Sequence, residues 1–108
     1  MADAKQIRVE ENGVVLAQAT ISAPPETRDA QAAVTVAPGH LPTGTRQKMA
    51  DAIHTAVCED QAEHLTATLP RGDAELVEEI RGHLTDARLR AAGATTILDG
   101  DIDSSGAN

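Results

Sequence analysis

A chain of 108 residues fits a single domain. Its 17 Asp and Glu outweigh 9 Lys and Arg, so it lacks the basic surface that nucleic acid or an anionic membrane requires, and both are excluded as partners. It has no Phe, Tyr or Trp, which removes large core anchors and base-stacking platforms together.

Residues 1–4 read as a frayed end. Lys5–Glu10 alternates, with Ile7 and Val9 on one face, and predicts the first strand. Asn12-Gly13 is a hairpin signal, because both residues tolerate the positive φ of a type I′ turn. The return strand is Val14–Ile21. A two-residue turn sets Glu11 opposite Val14 and Val9 opposite Leu16. That register puts Ile7, Val9, Val14 and Leu16 on one side and Val15, Ala17, Ala19 and Ile21 on the other, which predicts a central or doubly covered strand.

Pro24-Pro25 marks a loop, and Gln31–Ala37 alternates as a third strand through Ala32, Val34 and Val36. Pro38 and Pro42 bracket an irregular loop, after which Thr43 or Gly44 caps the first helix. Met49, Ala52, Ile53, Ala56 and Val57 form its apolar stripe. Leu65, Ala67 and Leu69 place a fourth strand at His64–Leu69, broken by Pro70-Arg71-Gly72. Asp73 caps a second helix, with Leu76, Val77, Ile80, Leu84, Ala87 and Ala91 as its buried stripe and Gly93 as its C-cap. Thr95–Leu98 is a short last strand, and 99–108 an acidic flexible tail.

The expected fold is therefore α+β over residues 5–98: a mixed five-stranded sheet, in the order β-β-β-α-β-α-β, with two helices mainly on one face. The first three strands suit an antiparallel meander. Each strand–helix–strand step suits a parallel, right-handed crossover.

The stretch that bears on function is Pro38 to Arg46. A helix start offers free N–H groups, and Arg46 beside them adds a cation. Gly39, His40, Thr43, Gly44, Thr45 and Arg46 are the candidate anion-binding residues. A helix start that uses Pro and Gly as punctuation accounts for the same residues without a ligand. Elsewhere, His54 and Cys58 stand one helical turn apart, with Glu63 and His64 beyond; with no second cysteine and no HExxH pattern they read as structural, and no metal is expected. Asp99, Asp101 and Asp103 alternate like the start of a calcium loop but lack its glycine and its closing glutamate. Arg71-Gly72-Asp73 is read as a turn and a cap rather than an adhesion tripeptide. No set of residues points to catalysis.

The element order and the loop 38–46 resemble the core of the GNAT acyltransferase superfamily, in topology from Gln6 to Leu98 and in sequence over Val34–Ile53. The shared features are Val36, Pro38, Gly44 and the helix through Met49 and Ile53. The resemblance implies that the helix N-terminus binds the pyrophosphate of acetyl-CoA. The family loop reads Arg or Gln, two spacers, Gly, one spacer, then Gly or Ala; aligned on Gly44, this chain has Leu41 first and Arg46 last. The tyrosine that often protonates the leaving thiolate has no counterpart, nor have the helices that usually follow the family's first strand.

Two functional expectations follow. One is a small non-catalytic binding or interaction module without a cofactor, self-associating because an aromatic-free core is modest. The other is a reduced GNAT-like domain that binds coenzyme A or another phosphate ligand through residues 39–46. One cysteine, no signal-peptide run after Met1 and no apolar stretch near the ~20 residues of a membrane span make the cytoplasm the expected compartment.

Overall fold

The computed structural model describes residues 4–24, 26–37 and 41–102. Its elements are β1 (Lys5–Glu11), β2 (Val14–Ser22), β3 (Asp29–Val36), α1 (Thr45–Glu59), β4 (His64–Pro70), α2 (Ala74–Arg81), β5 (Leu84–Ala92) and β6 (Thr95–Ile102). They build an α+β fold in which one mixed sheet runs β1-β2-β3-β4-β6-β5. The sheet has six strands, one more than expected.

The meander and the first crossover form as the pattern predicts. β1, β2 and β3 are antiparallel neighbours, and β3 pairs with β4 in parallel. Asn12 and Gly13 take φ of 54° and 80°, and Glu11 stands opposite Val14. The predicted register then fails, because a bulge between Val9 and Glu10 sets Val9 opposite Ala17 instead of Leu16. One extra residue on β2 reverses the face of everything behind it. Ile7 and Val9 consequently share the helix-side face with Ala19 and Ala17.

That face carries the core: Ala17, Ala19, Ile21, Ala32, Val34, Leu65, Ala67, Leu69 and Leu98 from the sheet, closed by Met49, Ala50, Ile53, Val57, Leu76 and Ile80 from the helices. Ala50 takes the buried place expected for Ala52. Both helices pack on this side and touch each other. β2 is an interior strand, paired with β1 and β3, as one of the two expected readings has it; the other, cover on both faces, is not found among the described residues, where its second face shows half-exposed Leu16, Gln18 and Thr20.

The larger correction concerns residues 82–92. The second helix stops at Arg81, and Leu84–Ala92 is a strand rather than two further helical turns. Gly93, expected as a helix C-cap, sits at φ 63° in the tight turn that joins β5 to β6. β6 lies antiparallel between β4 and β5, so β4 and β5 run parallel to each other; the crossover through α2 is parallel but passes over one strand position, and only the last strand, β6, runs against β4. Asp99, Gly100, Asp101 and Ile102, expected in the tail, are sheet residues. Gly100 has a local reason to be glycine. A Cβ there would stand 3.0 Å from Ala87 Cα and 3.0 Å from Thr85 O, where a β5 bulge crosses over it.

Candidate functional site

The parallel pair at the centre of the sheet is joined at one end and parted at the other. Its ladder runs from Asp29 opposite His64 to Ala33 opposite Thr68 and stops there. β3 continues to Val36 but follows β2, with Val36 opposite Ala17 and the Ala37 amide donating to Leu16 O at 2.9 Å. Carried further, the register would set Thr35 opposite Pro70. Proline has no N–H to donate, so β4 cannot extend the ladder there. It pairs instead with β6 on its other side, Pro70 opposite Thr95. Beyond the Ala33–Thr68 pair, β3 has no β4 partner among the described residues.

A cleft of about 520 Å³ opens outside these carboxyl ends. Val36 and Ala37 form one wall, residues 70–75 the other, and Arg46 lines it between them. Crevices at the carboxyl ends of parted parallel strands are where open α/β sheets bind ligands. Right-handed connection from β3 to β4 brings the starts of α1 and α2 to this same end of the sheet.

The start of α1 is exposed in an unusual way. Gly44 is its N-cap at φ 91°, with no side-chain cap. The Thr45 amide donates to Pro42 O at 3.2 Å, its hydroxyl donates to the same oxygen at 2.8 Å, and the Lys48 amide donates to Gly44 O at 2.9 Å. The Arg46 and Gln47 amides have no acceptor among the described residues. Such orphan donors, at the positive end of a helix, favour an anion.

The start of α2 is closed instead. Asp73 is its N-cap and accepts from the Leu76 amide at 3.1 Å. The same carboxylate takes Arg46 Nε at 2.8 and 3.1 Å, while Arg46 Nη1 lies 3.9 Å from Glu75 Oε2. Arg71 leans away, donating from Nη1 to Gly93 O at 2.9 Å.

Of the six candidate anion-binding residues, Gly39 and His40 lie outside the described residues. Thr43 is an exposed turn residue, Gly44 is the cap, and Thr45 is buried with its hydroxyl turned to Pro42. Arg46 reaches the cleft, but as one half of an ion pair with Asp73. The opposite wall was missed. Arg71-Gly72-Asp73 is the turn and cap that the sequence predicts, and the parallel crossover sets it, at the end of β4, beside the end of β3.

His54 and Cys58 do approach, Nε2 to Sγ 3.6 Å. His54 also stacks on His83 with ring centroids 4.3 Å apart, and His83 Nε2 lies 2.9 Å from Asp51 Oδ1. The cluster ties α1 to the turn after α2. Burial pushes the Cys58 thiol up, away from the reactive thiolate. His64 pairs with Asp101 at 3.2 Å and Glu63 with Arg28 at 3.1 Å, so neither joins Cys58. Among the described residues no group of three or more His, Cys, Asp or Glu is placed to hold a metal, and no helix is long and apolar enough to cross a membrane. Asp103, the last of the calcium-like aspartates, lies outside the described residues.

Comparison with solved structures decides the fold. The GNAT domain of S. lividans PAT superposes with a TM-score of 0.67 at 13% identity over 93% of this chain. The Salmonella typhimurium protein yncA, solved with its cofactor acetyl-CoA, gives 0.64 at 17% identity over 94%. A GNAT-family acetyltransferase from Streptococcus pneumoniae gives 0.65 at 12% over 92%. This chain has the fold of the GNAT core. It spans 61%, 66% and 66% of those three chains. No family model and no curated protein matches the sequence.

Proposed function

We propose that this chain is an acetyltransferase-like domain whose cleft binds a phosphate-bearing acyl carrier of the coenzyme A type. The observation that carries the reading is the parting of β3 from β4 beside the uncapped start of α1. Coenzyme A combines a diphosphate with an extended arm that contains amides, and the helix start and strand edge that reach the cleft at Arg46 and Val36 offer a complement to each part. The unpaired Arg46 and Gln47 amides suit the diphosphate. The strand edge Val34–Val36 suits the arm, whose amides could add to it as a peptide strand would. A Cβ placed on Gly44 would find no atom of the described residues within 4 Å. When bound, the carrier's thioester supplies an activated acyl group. The chain's own residues bind and orient it; Glu75, exposed at the cleft rim, is the carboxylate there that caps no helix.

Calorimetry with coenzyme A and with inorganic pyrophosphate tests the reading. Binding of both, with a rise in melting temperature that grows with ligand concentration, is expected. No heat and no stabilisation at millimolar coenzyme A overturns it.

The interaction-module reading keeps one specific support. Leu89, 55% exposed, lies on β5, an outer strand of the sheet. Exposed apolar side chains on an open edge favour self-association. Light scattering should then show a dimer or larger species that Leu89→Lys converts to monomer; a monomer at every concentration ends this reading.

A further inference from the structure

The Asp73 carboxylate holds two partners at once, the Arg46 guanidinium and the Leu76 amide, while its main-chain oxygen accepts from the Val77 amide at 3.2 Å. Its side chain is 10% exposed and that of Arg46 is 22%, so water screens the pair only partly. Arg46 is nevertheless engaged in a limited way. Among the described residues Nε alone makes short contacts, and the terminal Nη1 has the 3.9 Å approach of Glu75. A guanidinium fork of this kind matches two oxygens of a phosphate as well as it matches a carboxylate.

We propose that Asp73 sets the affinity of the cleft for anions by occupying Arg46 in place of a ligand phosphate. The inference rests on the cleft being the ligand site. Its charged lining is Arg46 and Arg71 against Asp73 and Glu75, two cations against two carboxylates. An incoming phosphate is thus set beside two like charges, and the better placed cation is already taken. It must share Arg46 through the terminal nitrogens or displace Asp73 from Nε. By either route the Asp73 charge subtracts from affinity, since like charges set side by side are costly. The device favours ligands that gain contacts along the Val34–Val36 edge as well, and it weakens the binding of small free phosphates that bring charge alone.

Asp73→Asn separates the charge from the cap, because Asn caps a helix as well as Asp does. Calorimetry on the full chain compares wild type, Asp73→Asn, Arg46→Gln and the double variant, with pyrophosphate and coenzyme A as probes. Asp73→Ser, also a good cap, repeats the test should Asn disturb the fold. Asp73→Asn is expected to bind pyrophosphate about tenfold tighter. The gain should be larger for pyrophosphate than for coenzyme A and should vanish in the Arg46→Gln background. Equal or weaker pyrophosphate binding by a folded Asp73→Asn overturns the proposal while coenzyme A binding by wild type still upholds the site. A gain that survives Arg46→Gln also overturns it, since the effect would then not pass through Arg46. No binding by any of the four proteins removes the site and the proposal together.

Discussion

The two ends of the β3–β4 pair differ although the same two strands build both. At the amino end Arg28 O accepts the Glu63 and His64 amides at 2.8 and 3.2 Å, and the ladder begins at once with Asp29 opposite His64. At the carboxyl end the ladder stops at Ala33 and Thr68, and a cleft takes its place. The first end spends its backbone groups on structure. The second leaves strand edge and helix amides free, and a proline at position 70 is the local cause. A fold can thus keep a cleft open by withholding one donor, without any special side chain.

Substitutions at the closed end should cost stability most. Gly100→Val puts a branched side chain where even a Cβ stands 3.0 Å from the β5 backbone and 3.2 Å from Leu84 Cβ, with no flexible tip to yield. A loss of about 3 kcal/mol in urea denaturation is expected, with ligand affinity unchanged in the folded fraction. Gly44→Ala, at the open end, forces a Cβ into φ 91° and should cost about 1 kcal/mol while weakening coenzyme A binding. A stability change at Gly44 as large as at Gly100 would erase the contrast between the ends.

Pro70→Val sharpens the comparison from the other direction. It restores an amide to β4, so β3 and β4 should close further; slower hydrogen exchange at residues 34–36 and several-fold weaker coenzyme A binding are expected. Unchanged exchange would show that the proline is not what holds the strands apart. The Arg28–Glu63 pair is mostly exposed, so Arg28→Ala should lower stability by less than about 0.5 kcal/mol in spite of its place at the closed end.

The smallest effect concerns Cys58. Its folded thiol is raised by burial, so the folded chain holds that proton more tightly than the unfolded one. The stability this contributes is complete below the ordinary thiol value of 9.0 and is lost as pH rises through the folded value. Cys58→Ala should flatten that alkaline decline in thermal melts.

The sequence made the open end's frame legible and hid its far wall. Alternation at Ala32, Val34 and Leu65, Ala67, Leu69 marks strands whose helix-side face is buried, and period two survives wherever one face is covered. β5 gives no such signal. It is an edge strand, exposed at seven of its nine residues, so nothing demands alternation. Leu84, Ala87 and Ala91 meanwhile continue the 3.6-residue spacing of Leu76, Val77 and Ile80, and Ala, Leu and Arg are strong helix formers. Gly82 and His83, where α2 ends, carry too little breaking power on their own to reveal the change. The candidate site was legible as far as Gly44 and Arg46, which local rules of helix starts expose. Asp73 was recognised as a cap, but its grip on Arg46 spans 27 positions and needs the tertiary fold.

Amide mapping tests the central claim most directly. In a ¹H–¹⁵N spectrum titrated with coenzyme A, the open-end account predicts that Val34, Val36, Arg46 and Gln47 shift together with one saturating curve, while Glu63 and His64 stay still. Shifts confined to Glu63 and His64, or no shift anywhere at millimolar ligand, would contradict it.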